Sequence, residues 1–171
     1  PITSFTSPSI VNSGAYNEVQ WQFITGTTFS SSSYSNCTGY TTGNTLRVGS
    51  NATYFQVYTP GSTINQIQVR IQSNSTTAAN AIVAFSADAV TWTNFSELPL
   101  PANNANPSCA SYTVTAPVGA KYFRAMRVGF GGYTPAGTVG QTIRFFEVKA
   151  FVNLACSNPT ITTQPSASAQ D

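Results

Sequence analysis

Side chains that change character at every second residue leave a chain few ways to fold, and this sequence alternates so wherever its pattern is readable. Within 64–71, Ile67, Val69 and Ile71 alternate with Gln66, Gln68 and Arg70. Within 121–130, Tyr122, Met126, Val128 and Phe130 alternate with Phe123, Ala125 and Arg127, and the pattern leaves open which set faces inward. Near the end, Phe146, Val148, Ala150 and Val152 alternate with Phe145, Glu147, Lys149 and Phe151. A period of two belongs to an extended strand with one covered and one wet face, not to a helix. Shorter strands are predicted over 19–25, 45–48, 54–58, 80–86, 91–95 and 111–116. Pro and Gly punctuate the gaps, at Pro60-Gly61, Pro99 to Pro107, Pro117 to Gly119 and Gly129 to Gly140.

Nine short strands without a convincing helix predict an all-β chain folded as an antiparallel β-sandwich, a jelly roll. Composition supports this. Charged residues make up 7% of the chain, against about 25% in an ordinary soluble domain. Glu and Lys are therefore too scarce for a helix-rich fold, and the surface must be wetted by Ser, Thr, Asn and Gln. With 11 Phe, 8 Tyr and 2 Trp in 171 residues, there is enough apolar surface for one well-filled core, and disorder is excluded.

The same counts exclude several functions. There is no His, so Ser-His, Cys-His and His-metal chemistry are absent. The net charge of +2 is the balance of seven cations and five anions; Arg124 and Arg127, with Lys121 nearby, form no dense basic face, and nucleic acid is not an expected partner. No apolar run approaches the roughly 18 residues of a membrane span, so no membrane insertion is expected. The chain opens Pro1-Ile2-Thr3-Ser4 and is read as a mature start or an excised piece. Before the tail the acids are Glu18, Asp88, Glu97 and Glu147. A glycosidase needs two opposed carboxylates. Asp88 suits a turn, Glu147 an outward strand position, and Glu18 and Glu97 have no motif around them. No Ser-x-x-Lys pattern supplies a nucleophile with a base, so catalysis is not expected.

Binding fits better. Three stretches, 26–43, 97–110 and 131–140, read as long loops, and such loops are uncommon without a task. They hold Tyr34, Asn36, Tyr40, Asn104 and Tyr133. Aromatic rings stack on the C–H faces of sugars while amides satisfy hydroxyls, so these five are the candidate ligand-binding residues. Tyr side chains of this kind also simply cover the ends of a sandwich. Trp21 and Trp92 read as core or hairpin packing. The N-x-Ser/Thr triplets at Asn36, Asn51, Asn74 and Asn94 carry no weight in so Ser/Thr-rich a chain.

Two resemblances sharpen the reading. Ser86-Ala87-Asp88-Ala89-Val90-Thr91-Trp92 resembles the S-x-D-G-x-x-W hairpin of discoidin-like, galactose-binding-like jelly rolls, with Ala89 in place of Gly; the missing Gly implies a different turn type. Lys121-Tyr122-Phe123-Arg124-Ala125-Met126-Arg127-Val128 and Phe146-Glu147-Val148 are similar to two later strands of that family. The resemblance spans about 45–152 and implies a jelly roll that binds carbohydrate or another surface ligand through loops at one end. No cofactor is expected; the family often carries a structural calcium, which the few acids here would hold partly through carbonyls. From Ser157 on, the tail resembles the opening of immunoglobulin-like repeats of large secreted bacterial surface proteins, where Cys precedes Pro-Thr-Ile-Thr-x-Gln-Pro. Residues 1–155 are thus expected to form the jelly roll, and 156–171 a linker or the first strand of a following domain. The implied parent is extracellular, with covalently linked neighbouring domains.

Of the three cysteines, Cys37, Cys109 and Cys156, two should pair in an oxidising compartment. Strand parity leaves the partners open. If 45–58 is one bent strand, Cys37 and Cys109 share an end; if Gly49 to Ala52 is a hairpin, Cys37 lies nearer Cys156. The tail motif that claims Cys156 favours Cys37–Cys109. The expected function is non-catalytic carbohydrate binding in a secreted multi-domain protein; the alternative is a structural or adhesive module that binds protein or spaces its neighbours.

Overall fold

The computed structural model describes residues 3–4, 20–23, 27–33, 37–38, 42–49, 54–128 and 132–154. Eleven strands run through them: β1 Thr3–Ser4, β2 Gln20–Phe23, β3 Thr27–Ser33, β4 Thr42–Val48, β5 Tyr54–Tyr58, β6 Ser62–Ser73, β7 Ala79–Ser86, β8 Thr93–Leu100, β9 Ala110–Thr115, β10 Tyr122–Met126 and β11 Ile143–Leu154. They form two antiparallel sheets. One has the order β3-β4-β11-β6-β9, with β1 also paired to β11; the other has the order β2-β5-β10-β7-β8. This is the jelly-roll β-sandwich that the alternation predicts.

The core lies between the sheets. Ile67, Val69 and Ile71 of β6 face it, as the pattern requires, across from Phe55, Phe85 and Phe123, all fully buried. Phe55 and Phe145 meet across the layers at 5.4 Å between centroids, and Phe85 and Phe123 at 5.3 Å within one sheet. In β10 the inward set is Phe123 and Ala125, both 0% exposed, so Tyr122 and Arg124 point outward.

Three elements differ from the sequence reading. Residues 27–33, expected inside a loop, form β3, paired with β4 from Thr27↔Val48 to Ser33↔Thr42. Its Ser- and Thr-rich sequence shows no hydrophobic period, and its pairing with β4 makes it an edge strand. β8 runs on to Leu100 and buries Leu98 and Leu100, so the loop expected over 97–110 begins after it; Pro99 is tolerated because β8 is an edge strand. In β11 a register shift between Phe145 and Glu147 breaks the alternation. Such a bulge sets two residues against one partner and so shifts the phase of the strand: Phe145 shares the core with Val148 and Ala150, and Phe146 turns to the outer side.

That outward Phe146 packs on the disulfide. Cys37, between β3 and β4, is bonded to Cys109, just before β9, with 5.3 Å between Cα atoms. Both are buried with Phe146 in a small cluster of their own. β4 and β5 belong to different sheets, so 45–58 is not one bent strand. The bridge forms nonetheless because it crosses the outer side of the six-stranded sheet rather than an end of the sandwich. Residues 155–171, with Cys156 and the tail motif, lie outside the described residues.

Candidate functional site

The outer side of the five-stranded sheet gathers a set of described aromatic and polar side chains that could meet a ligand. Register sets them in rows. Tyr58, Tyr122 and Ser86 are neighbours on β5, β10 and β7, followed by Gln56, Arg124 and Ala84, then Tyr54, Met126 and Ile82. Phe55, Val57, Phe123, Ala125, Val83 and Phe85 alternate with them and fill the core, which forces these rows outward.

Tyr58 and Tyr122 stack at 4.4 Å with 12° between their planes. Beside them, Arg124 donates from Nε and Nη2 to Gln56 Oε1 at 3.0 and 2.7 Å. Its guanidinium carbon lies 3.8 Å from the centroid of Tyr54 and 4.1 Å from that of Trp92. A cation held between two ring faces gains from both quadrupoles. Burial lowers the Arg124 pKa, yet a guanidinium stays charged at neutral pH.

The hairpin after β7 delivers Trp92 to this stack. Ser86 Oγ accepts from Asp88 N at 3.2 Å and Ala89 N at 2.9 Å, and donates to Asp88 Oδ1 at 2.9 Å. Asp88 Oδ1 accepts from Val90 N at 2.8 Å and Thr91 N at 2.7 Å. The amides of Thr91 and Val90, then the Ser86 hydroxyl, pull the Asp88 pKa down to about 2. Ala89 sits at φ 65°: contrary to the turn change expected from its missing Gly, it takes the left-handed conformation that Gly adopts freely.

A strap, 132–140, crosses the other edge of the same face. Glu97 ties it down. Its Oε1 accepts from Tyr133 Oη at 3.0 Å and Ala136 N at 2.5 Å; its Oε2 accepts from Gly137 N at 3.0 Å and Asn80 Nδ2 at 2.7 Å. The amide of Ala136 leads these in lowering the Glu97 pKa, and the bond to Glu97 raises that of Tyr133. The Tyr133 ring stacks on Phe95 at 4.8 Å and 5°. A Cβ on Gly137 would come within 2.1 Å of Asn80 Nδ2 and 2.9 Å of Glu97 Oε2, so a larger residue there would have to displace the Asn80–Glu97 contact. Between strap and sheet edge, Asn80, Pro99, Leu100, Pro101 and Thr138 line a groove of about 320 Å³.

Chemically the face offers rings, amides and one cation. The carboxylates of Asp88 and Glu97 are occupied by turn and strap amides, and Glu147 pairs with Lys149 at 2.5 Å. Among the described residues no three acidic or cysteine side chains gather that could hold a metal ion.

The sequence-derived candidates divide. Tyr34, Asn36 and Tyr40 lie outside the described residues. Asn104 is exposed in the turn before Cys109, which belongs to the outer side of the six-stranded sheet. Asn103 beside it donates to Ser75 O at 2.8 Å, in the connection from β6 to β7, whereas Tyr133 is tied to Glu97 of β8. Tyr54, Gln56, Tyr58, Trp92, Tyr122 and Arg124 were not among the candidates. The signal was present: the outward phase of β5 reads Tyr-Gln-Tyr and that of β10 Tyr-Arg, aromatic where a wet face asks for polar residues.

No protein-family model matches the chain, and no curated protein matches it. Among solved structures, it is similar to the arabinose-bound MgGH51 α-L-arabinofuranosidase (12% identity over 87% of this chain and 25% of that one, TM-score 0.51). It is also similar to an exo-β-1,3-galactanase from Phanerochaete chrysosporium with galactose (12%, 88% and 29%, 0.45). A third is the carbohydrate-binding module CBM6cm-2 of Cellvibrio mixtus lichenase 5A with cellotriose (13%, 75% and 88%, 0.42). The chain spans less than a third of either enzyme. At these identities the likeness is one of fold.

Proposed function

We propose that the protein is a non-catalytic carbohydrate-binding module whose binding surface is the outer face of the five-stranded sheet. The observation that carries this is the Tyr54–Arg124–Trp92 stack with Gln56 beneath it. An indole or phenol ring at the end of such a stack presents a flat apolar surface, and the sugar C–H face is its complement. Tyr hydroxyls and amides at the margin meet the ring hydroxyls. The groove beside the strap offers a second contact for a chain of sugars. A binding role rather than catalysis is supported by the described carboxylates: Asp88 and Glu97 hold turn and strap amides, and Glu147 pairs with Lys149. The Cys37–Cys109 bridge agrees with an extracellular, oxidising setting, where such a module would hold a larger secreted protein on a polysaccharide.

Retention on one class of neutral glycan in an array, lost in Trp92→Ala and Tyr54→Ala variants that keep the wild-type melting profile, is the expected result. Absence of any glycan binding at high micromolar protein would instead favour a structural or adhesive module.

A further inference from the structure

Tyr133 of the strap is held much as a sugar would be. Leu98 and Leu100 of β8 lie in the core, so Phe95 and Glu97 take the outer phase of that strand. The Tyr133 ring lies on Phe95 at 4.8 Å and 5°. At its edge, Oη donates to Glu97 Oε1 at 3.0 Å. Ala136 N and Gly137 N donate to the same carboxylate at 2.5 and 3.0 Å, and Asn80 Nδ2 does so at 2.7 Å. A pyranose makes this set of contacts: a C–H face on an aromatic ring, and hydroxyls given to a carboxylate and an amide.

The first half of the strap is otherwise open. Gly132, Thr134, Ala136 and Gly137 are all exposed. Gly132 sits at φ 79° with no atom within 4 Å of where a Cβ would stand, a point about which the chain can turn. Bonds from Asn80 N to Thr138 O at 2.7 Å and from Gly140 N to Arg127 O at 2.9 Å anchor the other half. The groove lined by Asn80 and Thr138 gives a ligand a way in alongside.

We propose that Phe95, Glu97 and Asn80 are a sugar subsite that Tyr133 occupies in the resting protein, and that a neutral pyranoside enters it by displacing the first half of the strap. The inference rests on the carbohydrate-binding role proposed above, and it makes Tyr133 an occupant of the site rather than a ligand contact. The Glu97 carboxylate accepts from sugar hydroxyls and repels uronates and sulfated sugars. The released Ala136 and Gly137 amides pass to water. Because the strap must leave first, the resting protein binds more weakly than the open subsite would.

The test is calorimetric titration of the full chain with cellotriose, galactotriose and arabinotriose, with trigalacturonate as the acidic reference. Tyr133→Ala empties the subsite, so a neutral trisaccharide is expected to bind this variant roughly tenfold more tightly than the wild type. Adding Phe95→Ala to Tyr133→Ala should cancel that gain. Were Tyr133 itself a ligand contact, Tyr133→Ala would weaken binding instead. On the unmutated protein, saturating ligand should speed hydrogen exchange at the Ala136 and Gly137 amides, a readout that needs no variant to fold. Unchanged or weaker binding by Tyr133→Ala, preferential binding of trigalacturonate, or unchanged or slowed exchange at those amides overturns the inference. If Trp92→Ala still abolishes wild-type binding in that case, the Trp92 face stands without this subsite. If no trisaccharide binds either protein, both fall.

Discussion

Replacing Ala89 by Gly should stabilise this protein, against the usual direction of such a change. Ala89 is held at φ 65° by a turn whose amides are fixed from both sides, by Ser86 Oγ and by Asp88 Oδ1. An L-residue in that region costs about 1–2 kcal/mol. Gly relieves this but frees the unfolded chain, a loss of about 0.4–1 kcal/mol. The net gain is about 0.5–1 kcal/mol, or roughly 1–4 °C in Tm for a chain of this length. Urea unfolding with an unchanged slope, or calorimetry, would read it. Ala87→Gly, two residues earlier and outside the left-handed region, is the control and should destabilise by a similar amount. If Ala89→Gly is neutral, or falls with the control, the turn is not strained and the reasoning is wrong.

Three further outcomes are expected. Reducing Cys37–Cys109, which spans 72 residues, should lower unfolding free energy by about 4 kcal/mol, read by melting with and without reductant. The Asp88 carboxylate has its pKa lowered from 3.8 to about 2 in the folded state. Its contribution is therefore full above pH 3.8 and is lost as pH falls toward 2; Val90 and Thr91 amide shifts should move through that interval and not at higher pH. Glu97→Gln removes the anion that faces Tyr133 Oη, so the Tyr133 phenol should titrate at lower pH than in the wild type, which ultraviolet titration detects.

The fold was legible wherever burial follows alternation. Phe123 and Ala125 against Tyr122 and Arg124, or Ile67, Val69 and Ile71 against Gln68 and Arg70, are separated by parity alone. It was illegible where the sequence offers a single apolar residue and no period, as in Thr27–Ser33, and where one inserted residue puts Phe145 on the same side as Val148 and Ala150. The candidate site was missed for a related reason. Long loops drew attention to Tyr133, which the structure ties to Glu97 and Phe95. The aromatic face is instead a property of pairing: Tyr54, Arg124 and Trp92 lie far apart along the chain and meet through the β5–β10 register and the Asp88 hairpin. Neither partner strand nor register can be counted from one strand's own sequence.

Strand β7 is sealed on both sides. Val83 and Phe85 lie in the core, while Ile82 and Ala84, on the outward phase beside Met126 and Arg124, are also 0% exposed. Both of its edges are also paired, to β10 and β8. Its central amides can then meet solvent only when the whole sandwich opens. Deuterium uptake at Ala81 to Phe85 would therefore act as a clock for global unfolding, and would slow when any ligand binds the native state, whichever side that ligand occupies.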